Sequence, residues 1–243
     1  MNLVIDSGNT RLKWAFVQDD GFISSYALVN QQITRQQMIE AWAQQLAPRR
    51  VAIACVSSTP FLEWILAIIV ELWPAINIIQ VKSEAHAFGV VNAYHQPDKL
   101  GVDRWLALIA VRNFYQKPAC IVDCGTAITV DLIDAAGIHQ GGFICPGLML
   151  MKKSLATGTA TLPFNRINYV SEPASFTEAA IYSGTLAAAV GLIEHVFSKH
   201  ADTMPLILTG GDAEIIAAQL IIKPLIDLDL VLRGLVVVLN DQI

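Results

Sequence analysis

Residues 4–13 read VIDSGNTRLK, and residues 122–129 read VDCGTAIT. Each stretch is a short apolar run that ends in Asp, Gly and Thr and leads into a second strand-like run. Glycine lets the backbone approach an anion closely, and the Gly N–H and the Thr hydroxyl can donate to phosphate oxygens. The Asp can hold a cation that neutralises those oxygens. The repeated hairpin therefore predicts a duplicated fold that binds a nucleotide.

An ordinary turn is the alternative for either copy alone, because Asp and Gly both tolerate turn geometry. Two copies in matched strand–turn–strand settings favour the phosphate-binding interpretation. The sequence contains neither Gly-x4-Gly-Lys-Ser/Thr nor Gly-x-Gly-x-x-Gly, which argues against the P-loop and Rossmann classes of nucleotide site.

The composition predicts a globular protein with a substantial core. Of its 243 residues, 54% are hydrophobic and 15% are charged, and this length allows one large domain or two small ones. The net charge is −5 and the basic residues are scattered, which argues against a nucleic-acid partner. The cysteines form no Cys-x-x-Cys pair, so the sequence predicts neither a structural zinc site nor a disulfide framework.

We expect no membrane association, because no apolar run approaches the ~18–20 residues that a membrane span needs. The longest candidate, residues 65–70, is bounded by Glu63 and Glu71. Residues 1–5 lead directly into Asp6 without a basic segment or a cleavage site. These features predict a cytoplasmic protein.

Hydrophobic periodicity predicts one order of elements twice, a three-strand meander followed by helices that alternate with strands. In the first half we predict strands at 2–6, 11–17, 22–29, 51–56 and 76–81, and helices at 34–46 and 61–72. In the second half we predict strands at 119–123, 128–133, 137–144, 206–209 and 225–228. Helices are predicted there at 147–157, at 176–200, from 212 to about 220, and at 230–239. Ser175 and Glu178 have the spacing of a capping box for the helix at 176–200.

This order of elements predicts an α/β protein with a duplicated actin-like, or ribonuclease H-like, fold. Such a fold has two mixed β-sheets flanked by helices, with a nucleotide cleft between them. The less regular segment 82–100 is predicted to link the halves, which we place at 1–100 and 101–243. The first half contains the first phosphate loop. The second half contains the second loop and Gly210-Gly211-Asp212. The two glycines allow an adenine or ribose to lie against the backbone, and the alternative is that they serve only the conformation of a strand-to-helix turn.

The tetrapeptide Gly101-Val102-Asp103-Arg104 has the residue types that alcohol phosphorylation needs. A base must take the hydroxyl proton as the phosphoryl group arrives, and a cation must hold any anionic group of the substrate. An Asp with an adjacent Arg at the start of a helix supplies both within one turn. A surface Asp–Arg pair is the alternative for this segment taken alone.

The full set of motifs, taken in order, is more specific than any one of them. It consists of DSGNTRLK at 6–13, Tyr94, GVDR at 101–104, DCGTA at 123–127, GGFICPG at 141–147, TLP at 161–163 and SG at 183–184. This set closely resembles the type III pantothenate kinases over essentially the full length. That family belongs to the acetate kinase, sugar kinase, Hsp70 and actin superfamily, whose other members share only the generic hairpins.

The resemblance implies a role for individual residues. It implies ATP contacts at Asp6, Ser7, Gly8, Asn9, Thr10, Arg11, Leu12, Lys13 and Thr126, with Asp6 close to the complex of Mg²⁺ and phosphate. It implies that Asp103 is the proton acceptor, and that Asp123 is a ligand of a monovalent cation, K⁺ or NH₄⁺. The implied substrate contacts are Tyr94, Gly101, Val102, Asp103, Arg104 and Thr177.

The resemblance further implies ATP-dependent phosphorylation of the primary hydroxyl of pantothenate to 4'-phosphopantothenate, the first step of coenzyme A biosynthesis. It implies a homodimer with the substrate pocket at the subunit interface. A kinase for another small hydroxy acid and a non-catalytic accessory regulator of gene expression are the alternatives. The small residues Gly184, Ala187, Ala188 and Gly191 permit close helix packing, within the chain or between subunits.

Overall fold

The structure is a computed structural model that describes residues 1–18, 21–199 and 204–241. The chain forms two compact units. The first consists of Met1–Gln116 and Asp229–Ile243, and the second is the continuous segment Lys117–Leu228.

The first unit contains seven strands and four helices among its described residues. They are β1 (Asn2–Ser7), β2 (Arg11–Gln18), β3 (Gly21–Val29), α1 (Arg35–Ala43), β4 (Arg50–Cys55), α2 (Thr59–Leu72), β5 (Asn77–Gln80), β6 (His86–Ala87), β7 (Val90–Val91), α3 (Val102–Ala110) and α7 (Leu230–Asp241). Short 3₁₀ helices lie at Asn30–Gln32 and Pro97–Lys99, and a π-helical turn at Val111–Tyr115 follows α3.

The first sheet has the strand order β3-β2-β1-β4-β5. β1 runs antiparallel to β2 and parallel to β4, so the sheet is mixed as predicted. Its alternating residues pack with Met38 and Trp42 of α1 and with three isoleucines of α2 in one apolar core. α1 begins with a capping box, in which the Thr34 side chain and the Gln37 side chain each bond the other's backbone N–H.

Helix α7 returns to the first unit and packs against α3. The two helices approach so closely that a Cβ on Gly234 would lie 2.2 Å from the carbonyl oxygen of Leu106. α7 also contacts β1 and β4, which places it on the first sheet. The compact units therefore differ from the predicted halves, 1–100 and 101–243, because the apolar faces of α3 and α7 cover each other and the first sheet.

The second unit repeats the arrangement. Its elements are β8 (Ala119–Cys124), β9 (Ala127–Ile133), β10 (His139–Pro146), α4 (Leu148–Gly158), α5 (Thr177–Ser198), β11 (Leu206–Thr209), α6 (Ala213–Ala217) and β12 (Leu225–Ile226). The strand order β10-β9-β8-β11-β12 matches that of the first sheet position by position. This equivalence is the duplication that the two hairpins predict.

The core of the second unit forms between its sheet and helices α4, α5 and α6. Beside it lies a polar pair that the sequence analysis did not predict. His139 and Asp131 are both buried, and the His139 Nε2 lies 2.9 Å from the Asp131 Oδ1. The partners meet because β10 pairs antiparallel with β9: His139 lies opposite Ile133, and Ile133 and Asp131 are on the same face of β9.

Two predictions about α5 need correction. Its N-cap is Phe176 and makes no side-chain capping bond, so the predicted capping box of Ser175 and Glu178 is wrong. The predicted end, residue 200, lies outside the described residues. α5 is also long and apolar enough to cross a membrane, contrary to the expectation that no such run exists. Length and composition are weak indications, however, because core helices share them, and α5 buries one face in the second core.

Candidate active site

The first phosphate loop connects β1 to β2 in the first unit. Asp6 is half-buried near the end of β1 and lies opposite Lys13 of β2. The Gly8 N–H donates to the Arg11 carbonyl at 3.0 Å, and this closes the turn. Asn9, Thr10 and Arg11 are exposed at the tip, whereas the Leu12 side chain is buried in the core. The loop thus presents polar groups to a ligand and anchors itself with one apolar side chain.

Two residues outside the predicted motifs, Ser57 and Asn30, form hydrogen bonds to this loop. The Ser7 side chain is fully buried, and its hydroxyl lies 2.7 Å from the hydroxyl of Ser57, two residues beyond β4. The Asn30 side chain donates to the carbonyls of Gly8 and Asn9. Only the parallel pairing of β1 with β4 and the return of β3 bring these distant positions together, so no local pattern could have indicated them.

The predicted substrate residues Tyr94 and Arg104 form a direct contact. The Arg104 Nη1 donates to the Tyr94 hydroxyl at 2.8 Å, and the guanidinium carbon lies 5.6 Å from the centre of the tyrosine ring. Arg104 is only 5% exposed, although it is a charged residue. The Tyr94 N–H donates to the Asn92 Oδ1 at 3.0 Å, which fixes the segment that carries the ring. A buried arginine held beside a phenol suits recognition of a carboxylate.

Asp103 lies in the first turn of α3, whose N-cap is Gly101. The Asp103 Oδ1 accepts a hydrogen bond from the Arg104 N–H at 2.8 Å. A Cβ on residue 101 would lie 2.5 Å from the same oxygen, so glycine is needed for this side-chain position. The positive end of the helix dipole stabilises the negative charge of the carboxylate there. Val102, the first residue of α3, is buried.

In the second unit, two other segments of the chain meet the second hairpin. Asp123 is half-buried on β8, and Thr126 is exposed in the following turn. Gly147 packs on this turn so closely that a Cβ there would lie 2.1 Å from the Gly125 carbonyl oxygen. Gly210, with φ +93°, leaves similar room beside Asp123. The predicted segments 123–126, 141–147 and 210–212 therefore meet, whereas Thr177 is exposed at the first position of α5, outside this cluster.

The thiols near this cluster are protonated at neutral pH. Burial, followed by the charge of Asp131, raises the pKa of Cys120 to about 12. Burial is the main reason why the pKa of Cys124 is raised above its usual range, and the negative charges of Asp123 and Asp212 raise it further. A thiol without access to its thiolate form is a poor nucleophile. These side chains serve the core, and the chemistry of the site falls to carboxylates, hydroxyls and backbone.

Lys152 of α4 is a buried cation that the sequence analysis did not identify. Its Nζ donates to the Ile167 carbonyl at 3.4 Å and lies 5.2 Å from the centre of the Tyr182 ring. Burial lowers the pKa of Lys152, and the charge of Asp212 opposes that effect. The contacts tie α4 to the chain before α5 and to α5 itself.

The residues assigned to cations have suitable chemistry. Asp6 and Asp123 are half-buried carboxylates at equivalent positions of the two hairpins, and Mg²⁺ and K⁺ take oxygen ligands. Among residues 1–18, 21–199 and 204–241, no three or more His, Cys, Asp or Glu side chains are grouped to hold a metal ion.

Comparison with known proteins identifies relatives over nearly the whole chain. The family model described as Type III pantothenate kinase matches residues 2–199. A type III pantothenate kinase of Dechloromonas aromatica is 35% identical over 237 residues, which cover 97% of each chain. One from Nitrosococcus oceani is 39% identical over 255 residues and covers 99% of this chain and 94% of its own.

Solved structures at low sequence identity show the fold. A protein of Campylobacter jejuni assigned to the Baf family of transcriptional activators has a TM-score of 0.60 at 21% identity and covers 99% of this chain and 98% of its own. The activator of 2-hydroxyisocaproyl-CoA dehydratase from Clostridium difficile, solved with bound ADPNP, has a TM-score of 0.60 at 11% identity. It covers 99% of this chain and 94% of its own. Together with the two mixed sheets, these similarities confirm the predicted actin-like fold.

The resemblance found in the motifs thus extends to the family model and to full-length relatives at more than 30% identity. The chain belongs to the type III pantothenate kinase family.

Proposed function

We propose that this protein transfers the γ-phosphoryl group of ATP to the primary hydroxyl of pantothenate, yielding 4'-phosphopantothenate for coenzyme A biosynthesis in the cytoplasm. The observation that carries the proposal is the assembly of Tyr94, Asp103 and Arg104 at the start of α3. It combines a carboxylate with a buried guanidinium, as phosphorylation of a hydroxy acid requires. The family membership supports pantothenate as that acid.

In the proposed reaction, Asp103 takes the proton of the attacking hydroxyl. A bond then forms between that oxygen and the γ-phosphorus, while the bond from the γ-phosphorus to the bridging oxygen breaks and ADP leaves. Arg104, supported by Tyr94, holds the substrate carboxylate so that the hydroxyl is presented to Asp103. Gly101, Val102 and Thr177 are the other proposed substrate contacts.

The nucleotide is assigned to the hairpin loops. In the first unit, Asp6, Ser7, Gly8, Asn9, Thr10, Arg11, Leu12 and Lys13 form the proposed phosphate loop. The fully buried Ser7 and Leu12 side chains act there by anchoring the loop. In the second unit, Thr126 is a proposed ATP contact. Asp6 would hold Mg²⁺ with the phosphates, and Asp123 would hold K⁺ or NH₄⁺. When bound, these cations offset the negative charge of the phosphates.

We also propose a homodimer. The helix that begins at Thr177 carries exposed small residues at Gly184, Ala187, Ala188 and Gly191. A Cβ on Gly184 or Gly191 would meet no atom within 4 Å among the described residues of the chain. This flat strip could be covered by the same helix of a second subunit, as in an isologous contact.

The test is an assay of ATP consumption with and without pantothenate, with the product identified by mass spectrometry. We expect ADP and phosphopantothenate in equal amounts, a requirement for Mg²⁺, and faster turnover in potassium or ammonium salts than in sodium salts. Turnover only with a different hydroxy acid would support the other kinase, and ATP binding without turnover of any acceptor would support the regulator. Equal rates in sodium and potassium would contradict the role of Asp123 alone.

A further inference from the structure

Asn30 makes three hydrogen bonds to the first phosphate loop. It is the first residue after β3, and β3 ends where Val29 pairs with Arg11. The Asn30 Nδ2 donates to the carbonyl oxygens of Gly8 at 2.9 Å and Asn9 at 3.2 Å. The Asn30 backbone N–H donates to the Thr10 carbonyl at 2.9 Å. One residue thus binds three successive carbonyl oxygens of the loop.

These bonds determine which way the amide groups of the loop face. In a trans peptide unit the N–H points opposite to the preceding C=O, and the described chain contains no cis peptide bond. With the Gly8 and Asn9 carbonyls turned to Asn30, the N–H groups of Asn9 and Thr10 face the other side. Successive N–H groups on one side form an anion-binding concavity, whereas exposed carbonyl oxygens would repel a phosphate.

We propose that Asn30 is a positioning residue for the nucleotide, which holds the peptide units of the loop so that the Asn9 and Thr10 N–H groups face the phosphates. This inference rests on the proposed function, because it takes the loop to be the phosphate site. Asn30 itself lies behind the loop and touches its carbonyl side.

Asparagine suits this position because its short side chain has two N–H donors on one nitrogen. The orientation of the amide follows from its neighbours: exchanging its O and N would set the oxygen against two carbonyl oxygens. The Asn30 Oδ1 is buried and has no hydrogen-bond partner in the described part of the chain, so the contacts that place this side chain are those to the loop. An Asp here would offer only acceptors when ionised, and Ala would offer nothing.

The test compares three asparagines, each changed to Ala. Asn30→Ala should raise the KM for ATP about tenfold and leave the KM for pantothenate within about twofold. Asn92→Ala should raise the KM for pantothenate and leave the KM for ATP nearly unchanged, because the Asn92 Oδ1 accepts a hydrogen bond from the Tyr94 N–H. Asn113→Ala is the matched control: the Asn113 Nδ2 also donates to two carbonyls, those of Phe88 and Ile109, but touches neither loop. It should leave both constants unchanged.

Asn30→Asp separates donation from space filling. The side chains of Asn and Asp are nearly the same size. Asp would therefore still fill the space that Asn30 fills, but it could not donate hydrogen bonds to the two carbonyl oxygens. We expect Asn30→Asp to weaken ATP binding more than Asn30→Ala does, since its charge also repels the phosphates. Thermal unfolding of each variant shows whether a loss is local or global. An Asn30→Ala enzyme with the ATP KM of the wild type overturns the inference.

Calorimetry with a non-hydrolysable ATP analogue keeps this inference separate from the proposed function. If the wild type binds the analogue but phosphorylates no pantothenate, the proposed function fails. A roughly tenfold weaker affinity in Asn30→Ala would still support Asn30 as the residue that positions the loop. Equal affinity of Asn30→Ala and the wild type for the analogue, with the wild type active on pantothenate, would leave the function standing and the inference refuted.

Discussion

At the scale of single residues, Asp103 is the proposed base, and its replacement gives the most direct test of mechanism. Asp103→Asn keeps the shape and the bond from the Arg104 N–H but removes the group that accepts the proton. We expect kcat to fall by on the order of 10²–10⁴, with ATP affinity largely intact. A rise in the pantothenate KM is also expected, because a negative charge beside Arg104 is lost. Steady-state kinetics and ATP titration check this, and near-normal turnover would refute the assignment.

The buried thiol of Cys120 makes the protein lose stability at alkaline pH. Its pKa is 9.0 when unperturbed and about 12 in the fold, so the unfolded chain releases this proton first as the pH rises. The stability that the neutral thiol contributes is complete below pH 9.0 and decreases up to about pH 12. From about pH 8 to about pH 10.5 the loss from this group is roughly 2 kcal/mol.

Urea unfolding of the wild type and of Cys120→Ala at those two pH values measures the effect. The Ala variant is expected to be less stable near pH 8, because it leaves a small cavity in the second core, but to lose less stability between the two pH values. Parallel losses in the two proteins would show that Cys120 does not carry the pH dependence.

Some residues of the candidate site are indicated by sequence motifs, and others are not. Asp6, Asp103 and Asp123 occur in short motifs whose chemistry is local, so the motifs indicate them directly. Asn30 and Ser57 contact the first loop from 22 and 50 residues away, and only the pairing of β3 with β2 and of β4 with β1 brings them there. The Asp131–His139 pair likewise depends on the pairing of β9 with β10, which alternation of apolar residues does not indicate.

At the scale of elements, the contact between α3 and α7 depends on one glycine. Gly234→Ala would place a methyl group against the Leu106 backbone, which cannot move aside as a flexible side chain can. We expect a loss of roughly 2–3 kcal/mol in unfolding free energy from overpacking. Gly158→Ala, at the last residue of α4, is the control: a Cβ there meets no described atom within 4 Å.

The control should have the opposite sign, because alanine in a helix loses less conformational entropy than glycine on folding. Gly158→Ala is expected to leave stability unchanged or to raise it by up to about 1 kcal/mol. Chemical unfolding of the two variants beside the wild type measures both changes. If Gly234→Ala were as stable as Gly158→Ala, the close packing of α3 on α7 would be contradicted.

Most elements could be predicted because their apolar periodicity is strong and their ends carry Gly, Pro or charged residues. β11, for example, has the predicted bounds, and α2 and β4 differ by one or two residues at an end. The start of α5 could not be located as well, since Ser175 and Phe176 compete for the N-cap and Ser175 has the better side chain for it. The sequence also does not indicate which surface α7 packs against, because an apolar helix face predicts burial but not the element that covers it.

At the scale of the whole molecule, the proposed dimer can be tested through Ala188. This residue is exposed on α5 in the single chain, between Gly184 and Gly191. Ala188→Arg adds a long charged side chain, so we expect dissociation of the dimer and a higher pantothenate KM, with ATP affinity less affected. Light scattering at micromolar concentration gives the mass. A fully active wild-type monomer would refute the shared pocket, whereas a dimeric Ala188→Arg would refute only this contact face.

The return of α7 to the first unit has a consequence for synthesis on the ribosome. Residues 117–228 form one uninterrupted unit, so its whole chain is available before translation ends. The first unit, although translated first, lacks the helix that covers α3 and the first sheet until the 12-residue helix α7 has been made. From the synthesis of α3 until α7 has been made, a nascent chain therefore lacks the helix that covers the apolar surface of α3 and the first sheet. A transcript truncated just before residue 229 would yield a protein with a complete second unit and an uncovered α3, the helix that bears Asp103.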